Sequence, residues 1–158
     1  MASGFIILND GRCLAPNWYY YDCIIDLVVQ ELQSISEKDK LEFKNWLQTQ
    51  IPSEGDIDNG YGGFIKKDDG TNIQRWLDLR ELTINNQVIF WNSLQKVLTK
   101  LITGKVEIKD RVKMISLIQR MLKMKKMVDK GDHPDNLSDW KQGYTSPRSE
   151  KRSGPGWR

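Results

Sequence analysis

The first apolar run, Phe5-Ile6-Ile7-Leu8, is followed by Asn9-Asp10-Gly11 and then Arg12-Cys13-Leu14-Ala15. This pattern predicts a strand, a tight turn in which Gly11 takes positive φ, and a second strand broken by Pro16 and Asn17. The aromatic cluster Trp18, Tyr19, Tyr20 and Tyr21 leads into a helix expected over 22–32, because Ile24, Ile25, Val28 and Leu32 recur at helical spacing. A second helix is expected over 37–50, after Ser36. Glu37 and Asp39 fall in its first turn, where negative charge is favoured, and Pro52 marks its end. Leu41, Phe43, Trp46 and Leu47 are expected to point inward.

Periodicity then stops. Ser53 to Gly63 holds four glycines and three carboxylates in eleven residues, which reads as a loop. Phe64 to Lys67, the turn Asp68-Asp69-Gly70, and Ile73 to Arg80 read as a second hairpin. Thr83 is a good N-cap for a helix over 84–102, with Phe90, Trp91, Leu94, Val97, Leu98 and Leu101 apolar and Gly104 as its stop. A last helix over 109–130 carries Val112, Ile115, Ile118 and Leu122 on one stripe, widened by Met114, Leu117, Met121, Met124 and Val128. The expected fold class is α+β: about four helices packed with two short β-hairpins, which can share a small sheet. A single domain is expected over 1–145, and the Gly-, Ser-, Pro- and Arg-rich stretch 146–158 reads as a mobile basic tail.

Composition narrows the class without naming a chemistry. With 158 residues, 39% of them hydrophobic and 28% charged, and a mean hydropathy of −0.58, the chain suits one globular domain. No apolar run approaches the ~20 residues of a membrane span, so no membrane partner is expected. The net charge of +3 conceals a split: residues 1–103 carry ten Lys/Arg against fourteen Asp/Glu, and residues 104–158 carry fourteen against seven. Two cysteines and one histidine remove most metal and acid–base designs. Cys23, beside Ile24 and Ile25, reads as an inert thiol, and Cys13 in the first hairpin reads the same way less strongly. A disulfide between them stays open. His133, in Gly-Asp-His-Pro-Asp, has no evident nucleophile or orienting partner. No phosphate-binding glycine motif and no zinc-ligand set occurs, so neither a cofactor nor an enzymatic activity is expected.

Two constellations remain. Asp56-x-Asp58-Asn59-Gly60 begins like a calcium loop, but Tyr61 stands where such a loop needs glycine and Lys67 where it needs a bidentate glutamate, so no metal is assigned. The stretch reads either as a solvated connection or as a partner-binding loop made of Glu54, Asp56, Asp58, Tyr61, Asp68 and Asp69. The second constellation is Lys113, Arg120, Lys123, Lys125, Lys126 and Lys130 on the last helix. It reads either as a solvated helix face or as a contact for nucleic acid or an acidic partner.

The run Leu77-Asp-Leu-Arg-Glu-Leu-Thr83, continuing through Asn86-Gln87 to Phe90-Trp91, resembles a pattern of small immunity proteins of bacterial toxin systems, including contact-dependent inhibition. It covers about fifteen of 158 residues. In it Leu77 and Leu79 face a core, Thr83 caps, Phe90 and Trp91 pack, and Asp78, Arg80 and Glu81 are available for ion pairs. The resemblance implies a single-domain cytoplasmic inhibitor that binds one toxin domain, such as a nuclease, and has no catalysis of its own. On that reading the acidic loop imitates phosphates in a basic cleft. Its carboxylates are expected to be exposed, so that neutralising Asp56, Asp58, Asp68 and Asp69 leaves stability almost unchanged.

Overall fold

Asn17, expected only to break a strand, instead starts the first helix: its side-chain oxygen accepts a hydrogen bond from the Tyr20 amide at 3.0 Å. In the computed structural model, which describes residues 3–33, 36–58 and 63–131, helix α1 therefore runs Trp18–Leu32, four residues earlier than the periodicity suggested. Tyr21 extends the stripe of Ile24, Ile25, Val28 and Leu32 by one turn and is fully buried. Its ring lies against Gly4, where a Cβ would sit 2.4 Å from Tyr21 Cγ. Only a residue without a side chain lets the first strand approach α1 this closely.

Helix α2 (Lys38–Gln48) buries Phe43 and Leu47 against α1 and α3, whereas Leu41 and Trp46 are 40% and 41% exposed. The expectation that all four face inward is corrected. An eleven-residue helix resting mainly on α1 buries a single i, i+4 stripe, and Leu41 and Trp46 fall outside it. Helix α3 (Ile84–Ile102) is central and packs against both α1 and α4. The Thr83 hydroxyl accepts from the Asn86 amide at its start, and Gly104, at φ +73°, follows its end. Helix α4 (Arg111–Asp129) buries Met114, Leu117, Ile118, Met121 and Met124. Val112 is 76% exposed, a second correction: the buried row starts at Met114, and two residues of helix turn Val112 through ~200° to the opposite side.

Strands β1 (Phe5–Ile7) and β2 (Cys13–Leu14) form the first hairpin, with Ile6 opposite Leu14 and Ile7 opposite Cys13. The second hairpin differs from the expectation. Its outgoing arm, β4 (Phe64–Lys66), pairs with β5 (Asn72–Gln74), and the returning arm is cut at Arg75. Residues beyond the cut form β6 (Trp76–Asp78), which joins the other sheet parallel to β1. A two-residue strand, β3 (Ile57–Asp58), within the stretch read as a loop, pairs with β4. The hairpins thus lie in two three-stranded sheets, β2-β1-β6 and β3-β4-β5, rather than in one. Four helices with these sheets make an α+β domain.

The two sheets differ in how they are buried. Ile6, Leu14 and Leu77, with Leu8 and Leu79 just beyond the strands, enter the core shared by all four helices. Ile7, Cys13 and Trp76 form a small cluster of their own, with Phe5 packed on it. Among the described residues, β3-β4-β5 contributes none to either cluster, although Ile65 is fully buried. The tail expected over 146–158 and His133 lie outside the described residues, as does Tyr61.

Candidate functional site

Asp56 is the node of the acidic loop. Its side chain is 3% exposed, and four donors converge on it. One oxygen accepts from the Ser53 amide (2.9 Å), the Ser53 hydroxyl (2.8 Å) and the Lys67 ammonium (2.9 Å), and the other from the Asp68 amide (2.9 Å). The Lys67 hydrogen bond, followed by those from Ser53, holds the Asp56 carboxyl well below the ordinary carboxylate range. Lys67 also donates to the Ile51 carbonyl at 2.7 Å. The residue standing where a calcium loop has its last glutamate therefore brings positive charge to Asp56. Among the described residues, no group of three or more His, Cys, Asp and Glu is placed to hold a metal ion.

Asp58 is occupied as well. Arg75, with a fully buried side chain, holds two carboxylates in one guanidinium plane. Its Nε and one terminal nitrogen donate to Asp22 at 2.7 and 2.8 Å, and its terminal nitrogens donate to Asp58 at 3.1 and 2.7 Å. Such forked pairs are the strong form of charged hydrogen bond. The guanidinium carbon also lies 5.0 Å from the Trp18 ring centroid. Burial acts to lower the Arg75 pKa, but hydrogen bonds to Asp22 and Asp58 outweigh it and hold it above the ordinary value. Burial pushes the Asp22 carboxyl up, against the opposing pull of Arg75.

Glu54, Asp68 and Asp69 face solvent, and Asp58 is partly exposed where it meets Arg75. Asp69 orders its own turn by accepting from the Thr71 amide (2.9 Å) and hydroxyl (2.7 Å), and the Thr71 contacts lower its pKa. Asp68 and Asp69 line an open groove of about 890 Å³ between the end of α2 and the β4–β5 turn, opposite Asn45, Gln48 and Thr49. Trp46, stacked on Phe43, lies one turn before Thr49 on α2. Of the six expected site residues, the structure brings Asp56, Asp68 and Asp69 to this groove, turns Asp58 toward Arg75, and leaves Glu54 on the neighbouring turn. Asp56 is buried, and Asp58, on an exposed strand with its side chain 25% exposed, is paired with Arg75, so the expectation that all four carboxylates are exposed is corrected at Asp56.

No local pattern in the sequence marks Asp22 and Arg75 as partners. A single arginine between Ile73 and Trp76-Leu77, in a half of the chain with surplus acid, was the available signal. The aromatic cluster at the start of α1 also divides: Tyr21 is core, Trp18 is covered by Arg75, and Tyr19 is exposed. Cys13 and Cys23 are both thiols with no disulfide between them, and burial pushes the Cys23 thiol up, which disfavours the reactive thiolate. On α4, Lys125 pairs with Asp129 and lies over the Trp91 ring, whereas Lys113, Lys123, Lys126 and Lys130 are exposed.

The motif behind the immunity-protein resemblance is used internally. Asp78 accepts from the Arg80 amide at 3.0 Å and from its guanidinium at 2.9 and 2.7 Å, closing the 3-10 turn Leu79–Glu81 between β6 and α3. Leu77 and Leu79 are buried, and Phe90 and Trp91 meet edge to face. No described helix is long and apolar enough to cross a membrane. Compared with protein-family models, curated proteins and solved structures, the chain matches none.

Proposed function

We propose that this chain is a non-catalytic binding protein, an immunity protein that neutralises a bacterial toxin domain by direct contact in the cytoplasm. Its contact surface is the acid-rimmed groove between α2 and the β4–β5 turn. The observation that carries this reading is the ordering of exposed charge by buried charge. Asp56 anchors the Ser53 and Asp68 backbones, Thr71 fixes Asp69, and Glu54 stands on the turn beside them. Preordered carboxylates steer a basic partner, such as the substrate cleft of a nuclease, and lose little entropy on docking. Trp46, exposed on α2, supplies the large aromatic side chain typical of an interface anchor.

A second reading rests on α4, where Lys123, Lys126 and Lys130 share one exposed face at i, i+3 and i+7 and suit a phosphate backbone. One set of measurements separates the two. The full chain is used to capture a protein from its host, and that protein is expressed with and without the chain. The immunity reading expects the captured protein to be toxic and the chain to restore growth. It also expects the triple variant Glu54→Gln, Asp68→Asn, Asp69→Asn to associate more slowly at low salt and nearly normally at high salt. Salt-dependent retention of DNA or RNA, lost on changing the three lysines and unaffected by the triple variant, would overturn it in favour of the second.

A further inference from the structure

We infer that the β3-β4-β5 sheet is a jaw that opens from the helical body as one unit, and that Arg75 is its latch. Arg75 is the single residue between β5 and β6, strands of different sheets, so the covalent parting line runs through it. Its polar groups divide along the same line. The Arg75 amide donates to the Gly63 carbonyl on the jaw side (2.9 Å), and its carbonyl accepts from the Phe5 amide on the body side (2.9 Å). Its guanidinium repeats the division, holding Asp58 of β3 with one edge and Asp22 of α1 with the other, while Trp18 of α1 lies against its plane.

Among the described residues, the jaw is otherwise lightly held. None of its described side chains belongs to the helical core, and Ile65 is its only fully buried apolar residue. At its other end, Lys67 reaches the Ile51 carbonyl, just after α2, and beside the latch Gly63 packs close to the Ser3 carbonyl. Opening therefore gives up the Arg75–Asp58 fork, the Lys67–Ile51 contact and the burial of Ile65, and leaves the four-helix core intact. Hydrogen bonds exchanged for water have small net values, apart from those to charged groups. The weak step is release of Asp58 and Gly63, after which Arg75 stays with the body on Asp22, Trp18 and Phe5. Because the groove lies between α2 and this sheet, the same motion widens it.

Native-state hydrogen exchange on the full chain tests the jaw. In the wild type, amides of β4 and β5 are expected to exchange through an opening that is cheaper than that of α3 and nearly insensitive to low denaturant. Asp58→Asn, which weakens the jaw side alone, is expected to raise that opening equilibrium about ten- to a hundredfold, leaving α1, α3 and β6 unchanged. Arg75→Lys, which keeps the charge but loses the fork, is expected to act in the same direction. The wild-type comparison is decisive even if a variant fails to fold. Exchange of β4 and β5 only together with α3, at the same free energy and denaturant dependence, would overturn the inference. So would an Asp58→Asn effect spread equally over α3.

Discussion

The helical body and the β3-β4-β5 sheet are held by different physics, although one chain builds both. In the body, rows from α1, α3 and α4 and one face of β2-β1-β6 meet in a continuous apolar core. The sheet is fastened by ions: Arg75 to Asp22 and Asp58, and Lys67 to Asp56. Apolar burial is non-directional and tolerates local substitution, whereas a buried guanidinium between two carboxylates depends on each partner being present. The contrast explains why the acidic stretch is ordered. Its carboxylates divide into an inner set that holds the sheet and an outer set that faces solvent.

The contrast breaks most severely at the centre of the body. Phe90→Ala removes a fully buried ring from the central helix and is expected to cost about 3–5 kcal/mol of global stability, read by urea denaturation. A small change confined to the jaw would show that the core is not the main source of stability. Next is Gly4→Ala, whose new methyl group meets the Tyr21 ring where β1 crosses α1. Overpacking there is expected to cost about 1–3 kcal/mol, and an unchanged melting temperature would mean that the strand moves aside freely.

Acid sharpens the comparison further. The Asp56 carboxyl titrates below its ordinary value of 3.8 in the folded chain, so its contribution is complete above that value and is lost as pH falls toward the folded one. The Ser53 and Asp68 amides are expected to lose protection below about pH 4 before the α3 amides do. Asp56→Asn is expected to flatten this acid dependence. Identical acid profiles in loop and helix would remove Asp56 as the anchor. The smallest effect belongs to the outer set. Glu54→Gln with Asp68→Asn is expected to shift stability by no more than about 0.5 kcal/mol, checked by thermal unfolding. A larger loss would place these carboxylates among the inner ties.

What the sequence determined by itself is the repeating, short-range part of this protein. The helix over 84–102 was legible to the residue because Thr83, its apolar row and Gly104 are local signals that need no distant partner. The first hairpin and its Gly11 turn, at φ +91°, were legible for the same reason. Trp46, Leu41 and Val112 were misplaced because hydrophobicity states what a side chain prefers, while the number of neighbours decides whether a helix can bury more than one stripe. Tertiary structure alone decided that the chain leaves one sheet for another at Arg75, and that Asp22, fifty-three residues away, meets it there. It also decided that Asp56 meets Lys67 and Asp58 meets Arg75, while Asp68 and Asp69 stay exposed along the groove. A carboxylate carries the same charge in either setting. Whether it steers a partner or fastens a sheet depends on which cation the fold places beside it.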